Sequence, residues 1–67
     1  MTLREQLLDM DVMVNQISKG INAVVLMSEG LDRVRDPYAD GFGVVCEYLT
    51  DAGRDLRNQV DACLDAV

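Results

Sequence analysis

One stretch of this chain carries residues that could do chemistry. In "DPYADGFGVVCE", Asp36 to Glu47, acidic side chains stand at places 1, 5 and 12, and a glycine stands at place 6. That is the spacing of a twelve-residue calcium-binding loop, in which oxygen donors converge on one ion and the glycine permits a sharp turn. The same residues also read as the start of a helix. Asp36 then serves as N-cap, Pro37 takes the first helical position where a missing N–H costs nothing, and apolar residues follow at helical spacing. Place 3 of the supposed loop is Tyr38, place 8 is Gly43 and place 9 is Val44, so three further marks of a calcium loop are missing. No second such loop is present to pair with it. The helix start is the expected reading, with Asp40 near the first turn meeting the positive end of the helix dipole.

The remaining reactive groups are sparse. The sequence has no histidine, and its only cysteines are Cys46 and Cys63. Seventeen residues apart on one straight helix, the two thiols would stand roughly 25 Å apart, too far to form a disulfide or share a metal ion. Both are expected as small core residues. Neither has a histidine or buried lysine to activate it as a nucleophile. Glu47, Asp51 and Asp55 recur four residues apart, which makes an acidic stripe along a helix surface. Paired carboxylates perform acid–base work only where burial separates their pKa values. A solvated face that could serve as an acidic docking surface is the expectation here, with Arg54 and Arg57 pairing to Asp51 and Asp61. No catalytic residue, cofactor site or metal site is expected.

Composition narrows the partners. Six Lys and Arg stand against twelve Asp and Glu, a net charge of -6 in 67 residues. Nucleic-acid affinity comes largely from cations that displace phosphate counterions, and anionic lipid surfaces select the same cations. Neither nucleic acid nor membrane is an expected partner, whereas a basic protein surface is. The N-terminus lacks a basic stretch followed by an apolar run, and the longest apolar run is Ala23 to Met27. With two unpaired thiols, the chain is expected to be cytoplasmic.

The elements that must position these groups are two helices. Thr2 and Glu5 form a capping box at the start of the first. Leu3, Leu7, Met10, Val14, Ile17, Ile21, Val24, Ser28 and Leu31 then recur at alternating spacings of four and three, the pattern of a packed helical seam. Gly30 suits the position just past the end of this helix, which should run over about residues 3–30, but the helix could also continue through "LDRVR" until Pro37, so its end is expected between Glu29 and Arg35. A turn over 31–36 leads to a second helix over about 37–66. Its seam is Tyr38, Phe42, Val45, Leu49, Ala52, Leu56, Gln59, Cys63 and Ala66.

The fold class that follows is all-α: a single-domain antiparallel hairpin. Seam alignment opposes Leu31 with Tyr38, Val24 with Val45, Ile17 with Ala52, Met10 with Gln59 and Leu3 with Ala66. So small a chain supports only a marginal core by itself. The apolar faces are also too broad for one neighbour, because Leu8, Val12, Met13, Val25, Leu26 and Met27 flank the first seam. A homodimer forming a four-helix bundle is the expected solution. The function expected is that of a small, non-enzymatic oligomerising or regulatory protein acting through a protein partner. An acidic inhibitor or nucleic-acid mimic is the alternative.

Overall fold

The computed structural model describes all residues, Met1 to Val67. It consists of α1 (Leu3–Arg33) and α2 (Ala39–Asp65), packed side by side and antiparallel. The expected helical hairpin is therefore present, with no strand.

Each helix boundary has a local cause. Thr2 is extended, and its hydroxyl accepts a 3.1 Å bond from the Glu5 amide, satisfying one of the orphan donors of the first turn. α1 ends at Arg33, within the expected interval from Glu29 to Arg35 and past Gly30. Gly30 stays helical, and the left-handed position is taken by Arg35 at φ 55°. Around it the Asp36 amide donates to the Leu31 carbonyl and the Arg35 amide to the Asp32 carbonyl, at 3.0 and 3.1 Å. These two bonds close a Schellman motif, satisfying two of the last carbonyls of α1. Gly30 lies one turn too early to close the same loop, since Asp36 and Pro37 set where the chain can reverse.

Asp36 then starts the second element. Its carboxylate accepts the Tyr38 amide at 2.8 Å, and its carbonyl accepts the Ala39 amide at 3.0 Å. Pro37 sits in this lead-in turn, and α2 proper begins at Ala39, two residues later than the apolar pattern implies. Asp40 and Glu47 consequently lie on a continuous helix, seven residues or about 10 Å apart along its axis. No three His, Cys, Asp or Glu side chains come together anywhere in the chain. Asp36–Glu47 is thus a turn leading into α2, and the N-cap is Tyr38 with no side-chain cap bond rather than the expected Asp36, whose carboxylate instead holds the turn before the helix.

The helices meet along rows that repeat every seven residues. On α1 these are Leu7, Val14, Ile21 and Ser28, with Asp11, Ser18 and Val25 beside them. On α2 they are Ala39, Cys46, Gly53 and Val60, with Gly43, Arg57 and Leu64 beside them. The α1 row coincides with half of the expected seam. The α2 row is offset by one residue from Tyr38, Val45, Ala52 and Gln59, all of which are exposed. Cys46, not Val45, therefore stands opposite Val24, its thiol 3.6 Å from the Val24 carbonyl oxygen.

Small side chains explain the offset. A Cβ added at Gly53 would lie 2.7 Å from Ile21 Cδ1, and one at Gly43 would lie 3.8 Å from Ser28 Oγ. Bringing the small residues of α2 to the seam lets the helices approach closely, whereas Val45 and Leu56 would hold them apart. At the open end Arg4 donates to the Val67 carbonyl at 3.3 Å, tying the chain ends together.

Candidate interaction face

The expected seam residues divide into two groups. Leu7 and Val14 are buried, and Ile21, Val24, Leu31, Phe42 and Leu49 are half-buried. Leu3, Met10, Ile17, Val45, Ala52, Leu56, Gln59 and Cys63 remain exposed. Cys63 is thereby not the small core residue its spacing implies, although Cys46 is.

The exposed group has an order that follows from helix geometry. At 100° per residue, the position three on from a seam residue lies about 60° to one side of the seam, and the position six on lies about 120° to that same side. Antiparallel helices are related by a local twofold axis running from the front of the hairpin to its back, so equivalent rows of both helices share a flank. The front flank therefore collects Leu3, Met10, Ile17, Val24 and Leu31 with Gln6, Met13, Gly20 and Met27 from α1. From α2 it collects Phe42, Leu49, Leu56 and Cys63 with Val45, Ala52 and Gln59. All twelve acidic and six basic residues of the chain fall outside these rows. Gln6 and Gln59 are the only residues in them with fully polar side chains.

The hairpin as a whole is elongated, 49 × 15 × 12 Å, and exposes more surface than a compact chain of its mass. A compact 7.4 kDa chain is expected to expose about 4,200 Å². This hairpin exposes 5185 Å², an excess of about 1,000 Å². Its radius of gyration, 15.4 Å, likewise exceeds the roughly 11 Å of a compact domain of this length. Only six residues are buried, and none of the large side chains is fully enclosed. Within the charge-free rows Leu3, Met10, Met13, Ile17, Met27, Val45 and Leu56 are exposed.

The back flank has the opposite character. Arg57 holds the seam here. Its Nη1 donates to the Asp11 carboxylate and, at 3.3 Å, to Asp61, while Nη2 donates to the Asp11 carbonyl at 3.1 Å and to Asn15 Oδ1 at 2.6 Å. The bond to Asp11 is the largest cause that raises the Arg57 pKa above its ordinary value, and the Asp61 carboxylate adds to it against a desolvation penalty. The fork geometry of a guanidinium makes four such contacts possible from one residue.

The acidic stripe lies on the outward side of α2, and Asp51 within it pairs with Arg54 at 2.7 Å, both well exposed. Glu47, Asp51 and Asp55 thus share a solvated surface away from the apolar flank. Two open hollows of about 220 and 360 Å³ flank the seam on this side, lined mainly by Ser18, Asn22, Thr50, Gly53 and Arg54 and by Val25, Glu47 and Asp51. The second also takes in Cys46 and Thr50 beside Glu47 and Asp51, and the two arginines lining the first, Arg54 and Arg57, are paired with neighbouring carboxylates.

Comparison with protein-family models, curated proteins and solved structures finds no match to this chain in any of them. The functional reading therefore rests on the surface itself. Sequence periodicity located the apolar positions but assigned the α2 rows to the hairpin seam. The signal that separates the two faces is the string of small residues Ala39, Gly43, Cys46 and Gly53, which marks the close-approach side.

Proposed function

We propose that this chain is a small non-enzymatic interaction protein that works as a homodimer, two hairpins packing their charge-free flanks together into a four-helix bundle. The single observation that carries this reading is the continuous apolar flank spanning both helices with every charged residue outside it. The occupant that fits is a second copy. The elongated hairpin exposes about 1,000 Å² more than a compact chain of its mass, spread over its whole surface, and a stable interface takes roughly 800 Å² from each partner. An aliphatic surface of Leu, Ile, Val and Met also packs well against itself, because such side chains fill one another's gaps without needing polar partners.

Dimerisation would leave the acidic surfaces as the exterior. With -6 per chain, the assembled particle would present a strong negative field, and the partner it attracts is a basic protein surface. Glu47 and Asp55, which have no ion-pair partner, are the residues of the stripe most available to such a partner. Two free thiols suit a reducing compartment such as the cytoplasm. No helix is long and apolar enough to cross a membrane.

The test is light scattering behind size exclusion over a dilution series. A mass of two chains that falls toward one on dilution supports the reading, and a monomer at every concentration overturns it. Docking to a basic protein is tested separately by titrating salt, since an acidic exterior predicts an affinity that falls steeply as ionic strength rises.

A further inference from the structure

We infer that Arg57 is a latch that sets the rotation of α2 about its own axis, holding the small row against α1 and turning the row of Val45 outward. The outward row belongs to the apolar flank, so the latch rests on the interaction reading above for its purpose alone.

Apolar burial by itself does not select the observed seam. The row of α2 that faces α1 is Ala39, Cys46, Gly53 and Val60. Successive residues of a helix stand about 100° apart, so a turn of that size would bring Tyr38, Val45, Ala52 and Gln59 to α1 instead. Tyr38, Val45 and Ala52 are each larger than the residue they would replace, and only Gln59 in place of Val60 is less apolar. The turned seam would therefore remove more apolar surface from water. Close approach at Gly53 offsets part of that difference.

A directional tie does select the seam. Three residues make side-chain hydrogen bonds between the helical halves of the chain. Arg4 reaches the Val67 carbonyl at the exposed chain ends, and the Cys46 thiol is a weak donor at 3.6 Å from the Val24 carbonyl. Arg57 makes the remaining bonds, from Nη1 to the Asp11 carboxylate and from Nη2 to the Asp11 carbonyl and Asn15 Oδ1. Its side chain is 25% exposed and that of Asp11 31%, against 63% and 66% for the surface pair Arg54 and Asp51. Charge-assisted bonds partly shielded from water are the stronger ones.

These bonds exist in one rotation only. Arg57 stands about 60° to the back of the seam row, and the 100° turn would carry it to about 160°, facing away from Asp11 and Asn15. Its bond to Asp61 lies within α2 and travels with it, so that bond does not distinguish the two rotations. A polar tie in an otherwise apolar interface can fix which of two packings forms.

Cys46 makes the rotation measurable. It is buried in the observed seam, and the turn would carry it to the back, away from the apolar flank. Its reaction with an aromatic disulfide reagent is followed in a Cys63→Ser background, with the same chain in denaturing urea as the reference rate. Arg57→Met keeps a long apolar stem and removes the donors. Asp11→Ala/Asn15→Ala keeps Arg57 and removes the side-chain acceptors. Circular dichroism and urea unfolding are recorded for each.

The expected result is a rise of at least about tenfold in the Cys46 rate for both variants, with helix content and a cooperative unfolding transition retained. An unchanged rate in a folded variant overturns the inference, because the small row then holds itself in place. Loss of helix or of cooperativity in both variants overturns it too, because Arg57 then holds the hairpin together and does not choose its rotation. Where one variant alone fails to fold, the other decides. The homodimer reading stands or falls separately, with the scattering mass of the unmodified chain.

Discussion

Placing a charge on the apolar flank should separate the chains while leaving the hairpin intact. Ile17 suits the test because it is 49% exposed in the hairpin and lies near the centre of the flank. Burying an isoleucine fully is worth about 1.5–3 kcal/mol, so roughly 1 kcal/mol per chain remains to be gained when a second copy covers it. A twofold interface uses the residue twice, and Ile17→Lys should forfeit about 2 kcal/mol in apolar burial alone. That weakens the dimer by about 30-fold. Removing two ammonium groups from water adds to the loss, so about 30-fold is a floor.

The matched control is Val44→Lys. Val44 is 66% exposed, more than Ile17, but lies on the outward side of α2 beyond the apolar flank. Its substitution should shift the dimer by no more than about 0.5 kcal/mol, or about twofold. Sedimentation equilibrium over a range of loading concentrations measures both constants, and circular dichroism monitors helix content. Equal dissociation constants for the two variants would refute the reasoning, because exposure alone, and not position on the flank, would then govern association.

Four further outcomes follow from the fold. Arg35→Gly should raise stability by about 1 kcal/mol in thermal or urea unfolding, since the residue sits at φ 55° with no side-chain bond and glycine adopts that region without strain. Gly30→Ala should give a gain of similar size, about 1 kcal/mol, because the position is helical and open within 4 Å. Gly53→Ala should be destabilising in the native background and less so with Ile21→Val, which deletes the Cδ1 atom that a new Cβ would crowd; a double-mutant cycle showing no coupling would contradict the close approach described here. Arg57→Lys should lower the melting temperature even though the charge is kept, because an ammonium cannot reproduce the four bonds to Asp11, Asn15 and Asp61. The raised Arg57 pKa means that its contribution is complete below the unfolded arginine value and is lost only as pH climbs through the still higher folded one. The melting-temperature difference between the native chain and the Arg57→Lys variant should therefore stay constant from mildly acidic to mildly alkaline pH, until the introduced lysine itself titrates.

Much of this protein is written in its one-dimensional pattern. Thr2 and Glu5 mark where α1 begins, Asp36 and Pro37 mark where the chain turns, and spacings of three and four leave no alternative to two helices. These features are local: capping bonds and the 3.6-residue repeat depend on neighbours within a turn, so sequence determines them directly. The separation of charged from uncharged rows is equally legible. The pattern also shows that Asp36–Glu47 suits a helix start better than an ion site, because Tyr38 and Phe42 already belong to a helical repeat.

What tertiary packing decided is which apolar row faces the other helix. α2 offers a row through Tyr38, Val45, Ala52 and Gln59, bulky except at Ala52, and, one residue on, a smaller row through Ala39, Cys46, Gly53 and Val60. Periodicity weighs both by hydrophobicity and favours neither by size. The contact is settled by how closely two backbones can approach, and by the guanidinium of Arg57, which reaches across to Asp11 and Asn15 only when its row faces α1. The same competition moved the left-handed residue from Gly30 to Arg35, where the Asp36 and Arg35 amides meet the last carbonyls of α1. The bulky row, turned away from the seam, is what remains for another surface to cover.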